Sequence, residues 1–174
     1  MRLFYAVTFT DGTKEAIFPY RDMIADSSLK GRFVAKENFH VTLEFIGEVS
    51  LAELALYITI LESLRVPELR LQASYISSFK KEDKEVVWMG FESNPALNQL
   101  HAFLVKQLKG SGFQPAEHHF KPHITLGRQV ILIGNLDAMV IAPLYIKPYS
   151  IALMESKKVA GKLVYESVAE ILLV

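Results

Sequence analysis

The order of apolar and polar positions divides the chain into alternating extended and helical stretches. Leu3 to Phe9 is rich in aromatic and β-branched residues and reads as a strand. Asp11-Gly12-Thr13 signals a turn or helix start, and Ala16, Ile17, Tyr20 and Ile24 follow at helical spacing. Pro19 either kinks that helix or marks its true first turn. Phe39 to Gly47 reads as a strand closed by glycine. Ser50 and Glu53 form a capping box ahead of Leu51, Leu54, Ala55, Ile58 and Leu61, an amphipathic helix that ends before Pro67. Leu69, Leu71, Ala73 and Tyr75 alternate with Arg70, Gln72 and Ser74, which gives a strand with one polar face. Lys80 to Lys84 is a charged turn, and Glu85 to Phe91 is the returning strand.

Asn94 caps a third helix with Pro95 at its first position. Its apolar stripe is Leu97, Leu100, Leu104 and Leu108, and Gly110-Ser111-Gly112 stops it. His123 to Arg128 is a strand, Val130 to Ala142 fits neither pattern, and Tyr145–Met154 with Leu163–Leu173 reads as a final hairpin around Gly161.

Within this order a strand–helix–strand unit occurs twice. The strand ending at Phe9 leads through a helix to His40-Val41-Thr42-Leu43, and the strand ending at Phe91 leads through a helix to His123-Ile124-Thr125-Leu126. The second tetrad lies 83 positions after the first. The repeat is one of pattern, since the intervening residues are barely alike. Two similar lobes related by a pseudo-twofold bring the two histidine strands to a shared cleft.

Composition narrows the class. The chain has 174 residues, 51% hydrophobic and 22% charged, the size and make-up of one globular domain spanning residues 1–174. Nineteen basic residues balance nineteen acidic ones, which speaks against a protein that coats duplexes but leaves room for a basic patch around one phosphate. The absence of cysteine excludes disulfides, thiolate metal sites and a cysteine nucleophile. No apolar run has the length of a membrane span, and Met1-Arg2-Leu3-Phe4-Tyr5 lacks the layout of a signal peptide, so the expectation is a cytoplasmic protein, monomeric and without a membrane partner.

Side chains on a strand alternate faces, so His40 shares a face with Thr42, and His123 with Thr125, while Val41, Leu43, Ile124 and Leu126 turn to the core. Two imidazoles on one phosphodiester supply acid–base chemistry: a neutral one takes a proton from attacking water and a protonated one donates to the leaving oxygen. The threonine hydroxyls are placed to bind the non-bridging oxygens. A strained cyclic phosphate suits such a site, and no metal or cofactor is needed.

The two tetrads resemble the twin His-x-Thr/Ser-x motifs of the two-histidine phosphoesterase superfamily, and within it the RNA 2′,3′-cyclic phosphodiesterase group, also called 2′-5′ RNA ligase-like proteins. The resemblance extends to Arg2–Val7, Asn38–Val49, Lys121–Arg128, Glu155-Ser156 to Gly161, and Tyr165-Glu166. It implies a bilobal α+β fold with two antiparallel sheets lining a central cleft and helices outside. It implies hydrolysis of terminal 2′,3′-cyclic phosphates of RNA or small nucleotides to 2′-phosphates, with His40 as proton donor, His123 as proton acceptor, and Thr42 and Thr125 binding phosphate. Some relatives also join tRNA halves reversibly through a 2′-5′ linkage. The alternatives are a nucleotide- or RNA-end-binding module without turnover, and a phosphodiesterase for another cyclic or 2′-5′-linked nucleotide.

Other residues have two readings. Lys121 has the parity of His123, although Pro122 interrupts the alternation. Arg128 has the opposite parity and reaches the cleft only if the strand bulges at Gly127; the resemblance favours the cleft. His118, His119 and His123 lack the spacing of a zinc motif, and His101 reads as a helix-edge residue. Glu44 and Glu48 are expected at solvated strand ends, because a carboxylate repels phosphate. Tyr5, Phe45 and Trp88 are read as core rather than as base-stacking groups.

Overall fold

A computed structural model of the chain describes residues 1–173. Among the described residues nine strands and three α-helices follow in the order β1 (Arg2–Thr8), α1 (Asp11–Asp26), β2 (Ser28–Phe33), β3 (Val41–Glu48), α2 (Leu51–Ser63), β4 (Leu71–Lys81), β5 (Lys84–Phe91), α3 (Pro95–Gly110), β6 (His123–Leu132), β7 (Leu144–Ile146), β8 (Ser150–Val159) and β9 (Lys162–Leu172).

The helix signals act as their chemistry requires. Thr10 accepts from the Thr13 amide to start α1, and Pro19 sits inside that helix on its exposed side. The Glu53 carboxylate accepts from the Ser50 amide at 3.0 Å, and Asn94 accepts from the Leu97 amide at 2.9 Å. Leu97, Leu100, Leu104 and Leu108 are all buried. Ala160 and Gly161 both have positive φ, the backbone a two-residue turn needs to join β8 to β9.

All pairings are antiparallel, and the strands follow the order β7-β4-β5-β6-β3-β1-β8-β9, with β2 also on β6. The expected two sheets are the halves β9-β8-β1-β3 and β7-β4-β5-β6, and they join in one hydrogen-bonded sheet where Val41 pairs with Ile124. Beyond that pair β6 turns to β2 instead. Helix α1 lies against β2 and β6, α3 against β3 and α2, and α2 against β8 and β9. The helix of each repeat therefore packs on the histidine-bearing strand of the other.

The duplication reaches the level of strand irregularities. Between β1 and β3, Ala6 pairs with Thr42 and Tyr5 with Glu44, so Leu43 is an unpaired extra residue. Between β5 and β6, Trp88 pairs with Thr125 and Val87 with Gly127, so Leu126 is the extra residue. The two bulges occupy equivalent positions of the two tetrads. A second one-residue shift follows in each strand, at Ile46 and within Arg128–Gln129, where Gln129 has φ 51°.

Three elements depart from the sequence reading. Ser28–Phe33 forms a strand on β6, although its mixed polarity signals none. The expected Tyr145–Met154 strand breaks at Lys147–Tyr149, around Pro148: Leu144–Ile146 pairs with β4, and only Ser150 onward joins the final hairpin. The strand at His123 runs on to Leu132, into the segment that fits neither pattern. Among the described residues no helix is long and apolar enough to cross a membrane.

Candidate active site

The pairing of Val41 with Ile124 fixes the site. Carried one step either way, the antiparallel register sets His40 beside Thr125 and Thr42 beside His123. Val41 and Ile124 point into the core, fully buried, so the four polar side chains share the opposite face.

Both histidines sit at strand starts and are held alike. His40 Nδ1–H donates to the Asn38 carbonyl at 2.7 Å, and His123 Nδ1–H donates to the Lys121 carbonyl at 2.6 Å. A carbonyl only accepts, so the proton of each neutral ring is on Nδ1 and the lone pair is on Nε2. At His40 that lone pair accepts from the Thr42 hydroxyl at 2.9 Å. Aromatic rings wall both imidazoles: Phe4 and Tyr165 lie 5.1 and 5.0 Å from His40, and Phe79 and Trp88 lie 5.3 and 5.4 Å from His123.

This setting disfavours the imidazolium. Burial pushes His40 down to about 4, assisted by the positive charges of Arg128, His123 and Lys14, while the Asn38 carbonyl opposes the shift. His123 is lowered by burial and by Arg128 and Lys121, against the bond to the Lys121 carbonyl. Burial also raises the Tyr165 phenol, and Arg128 and Arg2 hold it back.

The Leu126 bulge decides the position of Arg128. It swaps the alternation after Thr125, so Gly127 turns to the back and Arg128 joins the histidine face. Arg128 lines a cavity of about 340 Å³ with His40, Tyr165, Phe4, Phe45 and Arg2. The matching Leu43 bulge brings Phe45, at the position equivalent to Arg128, to the same cavity. Phe45 is 60% exposed there and is not core. Lys121 lies in the loop before β6, where strand parity does not apply; its carbonyl holds His123 and its ammonium sits 5.0 Å from the Trp88 ring centroid.

The Leu43 bulge also corrects the placement of Glu44. It turns the carboxylate inward, where Glu44 is 4% exposed and 3.6 Å from His101 Nε2, and His101 stacks on Phe120 at 3.8 Å. Glu48 is exposed and faces the N-terminal ammonium at 3.7 Å. His118 turns back to the Ala116 carbonyl at 2.9 Å, and among the described residues no three His, Asp or Glu side chains gather as a metal-ligand group. Tyr5 is core, bonded through its hydroxyl to the Tyr57 carbonyl, while Trp88 is buried yet touches His123. Sequence reasoning gave no role to Phe4, Phe79, Tyr165 or Arg2. They sit on β1, β4 and β9, and only the order of the strands brings Phe4, Phe79 and Tyr165 to the histidine rings and Arg2 to the cavity beside His40.

The family described as LigT-like phosphoesterase matches residues 7–88, which include the first tetrad. The RNA 2′,3′-cyclic phosphodiesterase of Aeropyrum pernix is 36% identical over 69% of this chain and 69% of its own length. The protein of that name from Methanocaldococcus jannaschii is 30% identical over 74% and 71%. The crystal structure of Escherichia coli LigT complexed with ATP superposes with a TM-score of 0.74 at 27% identity, covering 99% of this chain and 97% of that one. The chain belongs to the LigT-like phosphoesterases of the two-histidine superfamily.

Proposed function

We propose that this chain, a single domain of two lobes, hydrolyses 2′,3′-cyclic phosphate ends of RNA or nucleotides to 2′-phosphates. The observation that carries the reading is the Val41–Ile124 seam, which gathers two histidines and two threonines on one face. Relatives named RNA 2′,3′-cyclic phosphodiesterase support the substrate class.

His123, neutral and with its Nε2 lone pair free of protein partners among the described residues, takes a proton from water as the water oxygen bonds to phosphorus. The P–O3′ bond breaks, and O3′ receives the proton carried by His40 Nε2. Thr42 and Thr125 bind the non-bridging oxygens, and Arg128, with Lys121 at the rim, offsets their charge. In the free protein His40 is neutral near pH 7. The bound phosphate anion counters the field of Arg128 and favours the imidazolium that the acid step requires. No metal or cofactor enters these steps. We place the work in the cytoplasm and the protein as a monomer.

The test is incubation with a nucleoside 2′,3′-cyclic phosphate, with and without a chelator. The expected result is the nucleoside 2′-phosphate at equal rates in both arms. Binding without turnover shows a binding module instead, and loss with chelator restored by one metal overturns the metal-free steps.

A further inference from the structure

The proton-donor role of His40 has a geometric corollary. The oxygen that leaves is O3′, so the ribose and everything attached at its 5′ side extend from the His40 end of the site. The 340 Å³ cavity opens at that end. Its far wall is a row across three strands: Arg2 on β1 pairs with Ser156 on β8, and Ser156 pairs with Tyr165 on β9. Cross-strand partners point to one face, and all three residues line the cavity.

We infer that Arg2, Ser156 and Tyr165 form a second anion subsite, which takes the phosphate group on the 5′ side of the nucleotide bearing the cyclic end. This rests on the proposed reading of His40 as the acid. Among the described residues, none of the three side chains has a hydrogen bond or ion pair within the protein, so a guanidinium and two hydroxyls remain for a ligand. Glu48, across from Arg2 on β3, faces the N-terminal ammonium, and Lys157, next to Ser156, is paired with Glu166.

The Tyr165 end of the subsite adjoins His40, with ring centroids 5.0 Å apart, and the Arg2 end is set apart from it. Strand spacing of ~4.8 Å sets the Arg2 backbone roughly 10 Å from that of Tyr165. The cationic neighbours that lower His40 are Arg128, His123 and Lys14, whereas Tyr165 senses Arg128 and Arg2. Arg128 therefore serves the reacting centre, and Arg2, which is not among the charges that lower His40, enters the cavity from the β1 end of the row. A cyclic mononucleotide with a free 5′-hydroxyl leaves the subsite empty. An RNA end fills it with its last internal phosphodiester, and a 5′-phosphorylated mononucleotide fills it with its 5′-phosphate.

The test compares three substrates: a nucleoside 2′,3′-cyclic phosphate, the same compound with a 5′-phosphate, and a dinucleotide ending in the cyclic phosphate. For Arg2→Gln, kcat/KM on the dinucleotide is expected to fall at least tenfold relative to kcat/KM on the nucleoside compound. The slope of log kcat/KM against log salt on the dinucleotide should become shallower by about 0.7, the value for one phosphate contact on a single strand. Ser156→Ala should move the ratio in the same direction. A parallel loss on the 5′-phosphorylated compound identifies the phosphate charge as what is read; a loss confined to the dinucleotide identifies the internal linkage. An unchanged ratio in Arg2→Gln overturns the subsite while leaving the parent reaction standing. Wild-type turnover of none of the three overturns the parent reaction and the subsite with it.

Discussion

Val41 and Ile124 face each other across the seam between the two halves of the sheet, each one residue after a histidine, and both are fully buried. The core itself therefore sets the spacing of the two catalytic candidates: the apolar backs of the tetrads pack on each other, and the polar fronts meet as a consequence. A contact made by only one tetrad could not register the two imidazoles in this way.

If the two rings act as one acid–base unit, His40→Ala and His123→Ala should each lower kcat on a cyclic mononucleotide by about 10² or more. The double variant should lose less than the product of the single losses, because removing one member already disables the unit. Steady-state kinetics on purified, folded variants decide this. A single variant with near-wild-type kcat would remove that histidine from the mechanism.

Arg128 supplies a field that both rings feel, whereas Lys14 acts on His40 alone and Lys121 on His123. Arg128→Gln should therefore raise the titration midpoints of both histidines in the free protein, and Lys14→Gln should raise His40 only. Proton NMR of the ring Cε1–H resonances across pH 3 to 9 reads both at once. If Arg128→Gln moves only one ring, Arg128 does not stand between them.

The tetrads, the helix stripes and the caps are legible in the sequence because each is decided locally, by alternation, by helical spacing or by one side chain bonding the backbone. The positions of Arg128, Phe45 and Glu44 are not, because each depends on a bulge. A bulge is an agreement between two strands: Leu43 is extra only relative to Ala6 and Tyr5 on β1, and Leu126 only relative to Trp88 and Val87 on β5. Simple alternation sends Glu44 to the histidine face and Arg128 to the back, and the bulges reverse both. The strand Ser28–Phe33 was hidden for a related reason: Leu29 is 74% exposed, and what makes this stretch a strand is β6 beside it. Tyr165 and Arg2 meet only through the order β1-β8-β9, which no local signal encodes.

Gly127 tests whether the bulge positions Arg128. A Cβ there would lie 2.9 Å from Val130 Cγ2 and 3.0 Å from Phe33 Cδ1, so the back of β6 must shift. Gly127→Ala should destabilise the protein by about 1–3 kcal/mol, the range for overpacking, and should lower kcat/KM by displacing Arg128. Gly134→Ala meets nothing within 4 Å and should stay within about 0.5 kcal/mol of wild type. Urea unfolding and kinetics on the pair decide it: equal stability and equal activity in the two variants would mean that Gly127 is not needed for the bulge.

The depressed pKa of His40 carries a stability consequence with a definite sign. The ring titrates near 6.5 in the unfolded chain and at about 4 in the folded one. Between those values the unfolded state binds more protons, so unfolding free energy rises with pH across that window. Read downward, stability is lost as pH falls from about 6.5 and the loss levels off below about 4, where both states are protonated. One pKa unit corresponds to about 1.4 kcal/mol, so His40 alone accounts for up to about 3 kcal/mol over the window. His123, shifted in the same direction, adds to the slope. His40→Gln keeps a polar group of similar reach but cannot titrate, so its stability should depend less steeply on pH. The difference between wild type and variant, from urea unfolding at half-unit steps between pH 4 and 7, should move in favour of the variant as pH falls. Parallel curves for the two proteins would show that His40 titrates alike in both states, and that its ring is not held neutral by the fold.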